Sequence, residues 1–546
     1  VKATGPSERA SLSFRGKAGE HIDTVERFVR IEPGGYPVTN VISGVLKGKR
    51  EFAVEIPKDV VPGSIHATLT LFPSLVADLQ AGLESITGDR FEAAVAEMMV
   101  AGQLVDYLKQ NRIADPGILR LAKDHRKDGL RKLNVFRNLD GGYSRWQGRP
   151  ADAGATAAAL LPLLADRDWF GGRSERTDRT VQWLRGRLDA GDGSPETSTA
   201  LDISTEAWSL WAFAWAGQME LGSKLELVAA EAGKTKRAEP LALTALAAAR
   251  INRRDLANDL LKQLTSMQKD DGSVGLQDPS ELEITSLATL AWLTQAASFS
   301  EPASKAVAWL LSKRDDSGGF GSPRATALAL RALVEWEEHQ DRMVPACEVV
   351  VRDGEDVLAK QAIDSDFQSA VVLKGSGDRF EVGKSTIAVE LTEGAELPYT
   401  AVIRYYRREK PPLPTTGTLS LSTELEMSKV DEGKAMRLTV TLKNTGPETV
   451  DSPAAVIGLP AGLAITSSLL DAEKKAGRIV AYETSPRRLT LFLGPLPSGE
   501  QVELALEATA TVPGEFSGPA SFAYLQQKPA ERSWTEPLTV VINPAK

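Results

Sequence analysis

Apolar residues recur along this chain with two different periods, and the switches between them divide it. From about 11 to 72 the period is two. Phe52, Val54 and Ile56 alternate with polar or small residues, and after Val61-Pro62-Gly63 the residues Ile65, Ala67, Leu69 and Leu71 do the same, which predicts half-buried strands. These strands are too few to close a sandwich, so partners are expected from elsewhere in the chain. From 74 to about 341 the texture becomes Ala- and Leu-rich with helical spacing, predicting helices over 75–86, 91–110, 155–165 and 225–232. Alternation returns from about 343 to 408, at Ile387, Val389 and Leu391 and then at Val402, Ile403 and Tyr405. The prolines of Glu409-Lys410-Pro411-Pro412-Leu413-Pro414 then make an extended connector. Beyond it Leu438, Val440 and Leu442, then Leu489, Leu491 and Leu493, then Val502, Leu504 and Leu506 alternate between turn residues. That pattern predicts a β-sandwich interrupted by a short helix over 468–476.

Inside the helical block one unit repeats: a helix, an Asp/Gly turn, a polar stretch, and a new helix opened by Thr or Ser. Asp140-Gly141-Gly142-Tyr143 leads to Ala155-Thr156, Asp192-Gly193-Ser194 to Ser204-Thr205, Asp271-Gly272-Ser273 to Thr285-Ser286, and Ser317-Gly318-Gly319-Phe320 to Thr326-Ala327. Trp183-Leu184 and Trp309-Leu310 hold like positions in the helices beside the turns. A unit of this size is a helical hairpin that buries its apolar face only against its neighbours. Gly supplies the positive φ that stops one helix, and Ser or Thr is expected to cap the next.

Composition narrows the function classes. Over 546 residues, 64 Lys and Arg against 73 Asp and Glu give a net charge of −9 without a basic stripe, which argues against nucleic acid as a partner. The length suggests three or four domains. The single cysteine, Cys347, excludes an intrachain disulfide and a Cys-based zinc cluster, and is expected to be a buried structural thiol. No run is long and apolar enough for a membrane span, and the start at Val1 without an export signal is expected of a fragment whose targeting sequence lies upstream.

The order of these segments resembles the C-terminal part of bacterial alpha-2-macroglobulin-like proteins. There a CUB-type β domain is split by insertion of a helical thioester domain, and a receptor-binding-type sandwich follows. Glu55-Ile56-Pro57-Lys58-Asp59-Val60-Val61-Pro62-Gly63-Ser64, Gly82-Leu83-Glu84 and Val105-Asp106-Tyr107-Leu108 look like the family's lead-in and first helices. Thr441-Leu442-Lys443-Asn444-Thr445-Gly446 and Gly494-Pro495-Leu496-Pro497-Ser498-Gly499-Glu500 resemble its last domain. The resemblance implies a multidomain fold: an α/α toroid of helical hairpins (73–342) inserted in a CUB-like β-sandwich (1–72 and 343–410), followed by an immunoglobulin-like β-sandwich (411–546). Counting back from Asp106-Tyr107-Leu108, the family's Cys-x-Glu-Gln thioester motif falls on Arg90-Phe91-Glu92-Ala93, where only the Glu remains. The expectation is therefore a non-catalytic endopeptidase inhibitor fragment that traps proteases without a thioester, cofactor or metal. The partners implied are proteases, in the full-length protein, or other envelope proteins if the chain is an interaction scaffold. The location implied is periplasmic or cell-surface, with an anchor on a missing N-terminus.

Competing chemistry is weaker. The Asp-Gly-Gly turns also resemble terpene cyclases and prenyltransferase β chains, which share the toroid, but the Asp-x-Asp-Asp cluster and the Asp/Cys/His zinc set are absent. Asp270-Asp271 and Asp315-Asp316 read as turn formers. Trp208, Trp211 and Trp215 share one helical face and read as core. His21, His66, His125 and His339 show no metal-ligand spacing. Lys474-Lys475 read as a solvated helix face, and Arg404, Arg407, Arg408 and Lys410 as a solubilising edge.

Overall fold

Strands from either side of the helical segment pair with each other. The computed structural model describes the chain except residues 1–6, 166–174, 190–201, 219, 276–280, 341–344, 376–379, 381, 393, 413–416 and 546. Glu396–Arg407 lies antiparallel between Tyr36–Lys47 and His66–Leu71, with Val371–Gly375 at the edge. A second four-stranded sheet orders Lys49–Ile56, Gly383–Leu391, Cys347–Asp353 and Asp356–Ile363. Leu46, Phe52, Leu71, Val349, Leu397 and Tyr399 fill the space between the sheets. Cys347 is buried in this core, and burial raises its thiol pKa. The hairpin Ser7–Ala18 and His21–Ile31 pairs with no other strand among the described residues, and Phe14, Val25 and Val29 stand exposed on one of its faces.

Twelve helices among the described residues form the inserted block: α1 (Leu75–Ser85), α2 (Phe91–Gln110), α3 (Pro116–Asn134), α4 (Ala153–Ala165), α5 (Glu175–Asp189), α6 (Ile203–Trp215), α7 (Gly222–Thr235), α8 (Ala238–Arg250), α9 (Arg254–Thr265), α10 (Glu281–Leu293), α11 (Ala296–Leu311) and α12 (Pro323–Glu337). The even-numbered helices pack side by side in chain order, and α12 meets α2 to close a ring. Odd-numbered helices lie around it, α3 on α2, α5 on α4, α9 on α8 and α11 on α10. Residue type sets this division. In α8 and α10 nearly every residue from Leu241 to Ala248 and from Glu283 to Leu293 is buried, and their many alanines let neighbouring helices approach closely. The surrounding α9 buries only the stripe Ala257, Leu260, Leu261 and Leu264.

The repeated turns share their backbone bonds. Asn138, Lys269 and Asp315 each donate their N–H to the carbonyl of Gly142, Ser273 and Gly319. Gly141, Gly272 and Gly318 take φ of +103°, +95° and +89°, and a Cβ on Gly272 would sit 2.3 Å from the Lys305 carbonyl oxygen. The repeat threonines are not caps. Thr156, Thr285 and Thr326 lie inside their helices and accept the buried N–H of Tyr143, Val274 and Phe320 at 2.9, 3.0 and 2.9 Å. Capping falls instead to Asp152 and Ser322, whose side chains accept from Ala155 and Ala325. A residue pinned after a tight turn loses its ladder partner, and the threonine hydroxyl supplies one. Trp183 donates its indole N–H to Asp140 at 2.8 Å. The Asp192-Gly193-Ser194 copy lies outside the described residues.

At the junction of sheet and ring, Arg314 is buried against Asp78 and stacks on Phe72 and Phe320 at 4.1 and 4.8 Å. Ser43 donates to the Arg314 carbonyl at 2.7 Å. The terminal sandwich sets Leu419–Leu425, Ala435–Asn444, Gln501–Ala510 and Leu463–Ile465 over a five-stranded sheet ordered Ala481–Ser485, Arg488–Phe492, Pro453–Gly458, Ser521–Leu525 and Lys528–Thr535. Leu438, Val440, Leu489, Leu491, Leu504 and Leu506 close its core, as their alternation predicts. The short helix runs Ser467–Lys475.

Candidate functional site

The inner helices of the ring all begin at the same rim, and Arg90-Phe91-Glu92-Ala93 lie there at the start of α2. Arg90 is the N-cap in extended conformation, φ −76° and ψ 158°, and its side chain makes no capping bond. The guanidinium turns away from its helix toward the terminal sandwich. There it lies 5.3 Å from the Phe492 ring centroid, 3.8 Å from a Glu483 carboxylate oxygen and 3.4 Å from the side-chain amide oxygen of Gln526. Trp146 packs on Phe492 beside it at 5.6 Å. Phe91 is buried edge-on against Phe136 at 5.8 Å, and Ala93 is buried in the ring core. Half-buried Glu92 lines a cleft with Phe91, Val95, Arg145 and Arg324 of ≈ 20 Å³, room for about one water molecule.

One turn along α2 the buried Glu97 accepts from Lys132 at 2.9 Å and meets His125 Nδ1 at 2.7 Å, tying α2 to α3 behind the rim. Burial alone would lower the Lys132 pKa, yet Glu97 and Asp128 hold it above the usual lysine value. Sequence reasoning missed this staple. The signal was present in His125, Asp128 and Lys132, which share a face of α3 at spacings of three and four.

The tryptophan face of α6 is core, as its spacing predicts, but it is a core edged with arginine. Trp208 and Trp211 are buried with ring centroids 5.4 Å apart, and Trp208 donates its indole N–H to Glu239 at 3.0 Å. Half-buried Trp215 lies between Arg250 and Arg331, at 3.7 and 4.6 Å from its centroid. Asp271 and Asp315 bind backbone N–H groups of their own turns, Asp271 that of Ser273 and Asp315 those of Ser317, Gly319 and Gly321. Their oxygens serve the turns. The four histidines are not brought together, and no group of three or more metal-ligating side chains forms among the described residues. No helix among those residues is long and apolar enough to cross a membrane.

The strand-end arginines depart from the expectation of a solubilising edge. Arg404 holds Asp316 of the ring at 2.9 Å, and Arg407 holds Asp59 at 2.8 Å. Each faces a carboxylate that a turn carries back to the sheet end, so two of the four are clamps. Arg407 holds the Asp59 carboxyl below the usual aspartate value. Lys474 and Lys475 close the short helix at its C-terminal turn, where cations suit the macrodipole.

A closed ring of helical hairpins, set between the two parts of a split β-sandwich and followed by a second sandwich, defines an alpha-2-macroglobulin-like architecture. Residues 223–336 match the family model of the A-macroglobulin TED domain. The fold resembles native Escherichia coli alpha-2-macroglobulin spanning domain MG7 to the C-terminus, with a TM-score of 0.69 at 15% identity, covering 98% of this chain and 87% of that one. Salmonella alpha-2-macroglobulin reacted with methylamine gives a TM-score of 0.67 at 16% identity, covering 96% of this chain and 35% of that one. Complement C3 of Oncorhynchus mykiss is 25% identical over 363 residues, 58% of this chain. The chain thus shares the fold of the alpha-2-macroglobulin region from MG7 to the C-terminus, and its helical ring carries the TED-domain match. It spans 22% of the length of that complement relative.

Proposed function

We propose that this chain is the C-terminal portion of a bacterial alpha-2-macroglobulin-like endopeptidase inhibitor that encloses its protease without a covalent bond. One observation carries the reading. The position assigned by the resemblance to the thioester holds Arg90-Phe91-Glu92-Ala93, with neither the thiol nor the glutamine that a thioester needs, and Phe91 and Ala93 are buried as packing residues. Cys347 supplies no substitute, being buried in the β-sandwich core away from that rim. The family fold supports a protease partner in the full-length protein and a periplasmic or cell-surface setting.

The test uses the full-length protein. Electrospray mass with and without a broad-specificity protease, followed by gel filtration, should show one discrete cleavage upstream of this portion. The protease should co-elute, stay active on small peptides and separate under denaturing conditions. No discrete cleavage and no retained protease would move the assignment to an envelope interaction scaffold.

A further inference from the structure

The three described copies of the repeated turn share a further contact, and in one of them its charges do not match. Against the positive-φ glycine of each turn an outer helix brings up a backbone carbonyl: Arg179 of α5 at Gly141, Lys305 of α11 at Gly272 and Ala81 of α1 at Gly318. Three residues earlier in those helices stand Arg176, Pro302 and Asp78. The side chain that enters each turn reaches toward them. Gln268 donates to the Pro302 carbonyl at 2.9 Å, and Arg314 bonds the Asp78 carboxylate in the buried ion pair. In the first copy Arg137 finds only the Arg176 carbonyl, at 3.5 Å. Two copies are completed by an amide and by an ion pair, whereas the first sets one arginine against another.

No carboxylate is bonded to this pair among the described residues. Arg176 gives one N–H to the Asn134 side chain at 2.8 Å, Asp140 is engaged by the Gly142 N–H and the Trp183 indole, and Glu175 pairs with Arg179. Two buried atoms are left over here, the Arg137 Nε and the hydroxyl of Tyr143, a side chain with 0% exposure; neither has a hydrogen-bond partner. Burial raises the Tyr143 pKa and both arginines pull against that rise, so both guanidiniums lie around its hydroxyl. Buried donors of this kind call for an acceptor. The outward side of the turn changes in step. Asp316, which Arg404 of the split β-sandwich holds, is matched in the first copy by Leu139, which is 100% exposed.

We propose that the turn at Asp140 is a docking site for an acidic, apolar segment of a partner protein. A carboxylate of the partner bridges Arg137 and Arg176 and accepts from the Tyr143 hydroxyl, as Asp78 serves Arg314, and a neighbouring apolar side chain covers Leu139. Arg137 is half-buried and Arg176 exposed, so the site is open to such a segment, and a guanidinium fork suits a carboxylate.

Fluorescence anisotropy tests this with the full chain and a labelled peptide of alternating leucine and aspartate, against a control of alternating leucine and asparagine. The aspartate peptide should bind about ten-fold tighter or better. Arg137→Gln introduces the residue type that the second copy carries, so the turn keeps its fold and binding should fall about ten-fold or more. Arg176→Asp introduces that of the third copy. Its carboxylate should fill the site from within, abolishing binding while raising the thermal unfolding midpoint, a combination that a folding defect cannot give. Leu139→Ser should weaken the peptide roughly three-fold or more. No binding of the aspartate peptide at about 1 mM, equal affinity for both peptides, binding that survives both arginine variants, or a midpoint that does not rise in Arg176→Asp overturns the proposal. If inorganic phosphate binds as tightly as the peptide and Leu139→Ser changes nothing, the site takes a free anion and the docking is overturned.

Discussion

Removing one half of the ion pair at the junction should cost more than removing both. Arg314 and Asp78 retain 1% and 6% of their side-chain exposure. The guanidinium has three other contacts, the Gly318 carbonyl at 2.9 Å and the faces of Phe72 and Phe320, but Asp78 is the carboxylate bonded to it. Asp78→Ala strands a buried cation that cannot shed its proton. Breaking one side of a buried pair costs about 3–5 kcal/mol, a factor of roughly a hundred to a few thousand in the unfolding equilibrium. The double variant Asp78→Leu/Arg314→Met replaces the pair with apolar volume between two phenylalanines and should recover most of that loss. Urea unfolding followed by tryptophan fluorescence reads the helical ring, because all tryptophans but Trp534 fall between residues 146 and 336. A loss below about 1 kcal/mol in Asp78→Ala, or a double variant no better than the single, would refute the reasoning.

Four further outcomes are expected. Thr285→Val keeps the shape of the side chain but leaves the buried Val274 N–H without its acceptor, and should destabilise the ring by about 1–3 kcal/mol in the same urea assay. Gly272→Ala meets both a φ of +95° and the Lys305 carbonyl, so it should lower the unfolding midpoint further than Gly148→Ala, which faces open space and pays only the left-handed conformation, about 1–2 kcal/mol. The Asp59 carboxyl is held low by Arg407, so its stabilisation is full above the unfolded aspartate value near about 4 and drains away as pH falls below it; Asp59→Asn should remove that part of the acid dependence, seen as a flatter acid arm in a pH series of unfolding midpoints. Cys347 should react with a thiol reagent only as fast as the β-sandwich opens, and at full speed in denaturant.

Legibility in the sequence followed the range of the interaction. Period two at Phe52, Val54 and Ile56 and at Leu489, Leu491 and Leu493 marked strands because burial on one face is a local pattern, and the shortage of strands before residue 72 already called for distant partners. The tryptophan face of α6 was equally local. A hydroxyl near a helix start looks alike as cap or as acceptor, so the pattern predicts caps at the repeat threonines; only the folded turn brings Tyr143, Val274 and Phe320 onto them. Arg90 could be placed by counting from Asp106-Tyr107-Leu108, but its contacts lie with Glu483 and Gln526, hundreds of residues on, and no spacing rule reaches them. Arg404 and Arg407 look like a solubilising edge in the sequence for the same reason, since Asp316 and Asp59 come to them only through the fold.

The strand Glu396–Arg407 sits between Tyr36–Lys47 and His66–Leu71, so the sheet that opens the chain lacks its central member until the whole ring has been made. At about 5–20 residues per second, the roughly 325 residues from Leu71 to Glu396 take about 16–65 s to leave the ribosome. His66–Leu71 waits with both edges unpaired until Val371–Gly375 emerges, and with the edge that Glu396–Arg407 takes unpaired for the whole of that time, while helix contacts near in sequence allow the ring to form first. Synthesis therefore imposes an order: the insert matures before its host. A nascent chain stopped before residue 396 should carry a folded ring between strands open to wrong partners, and chaperone demand should peak over that interval rather than at the end of the chain.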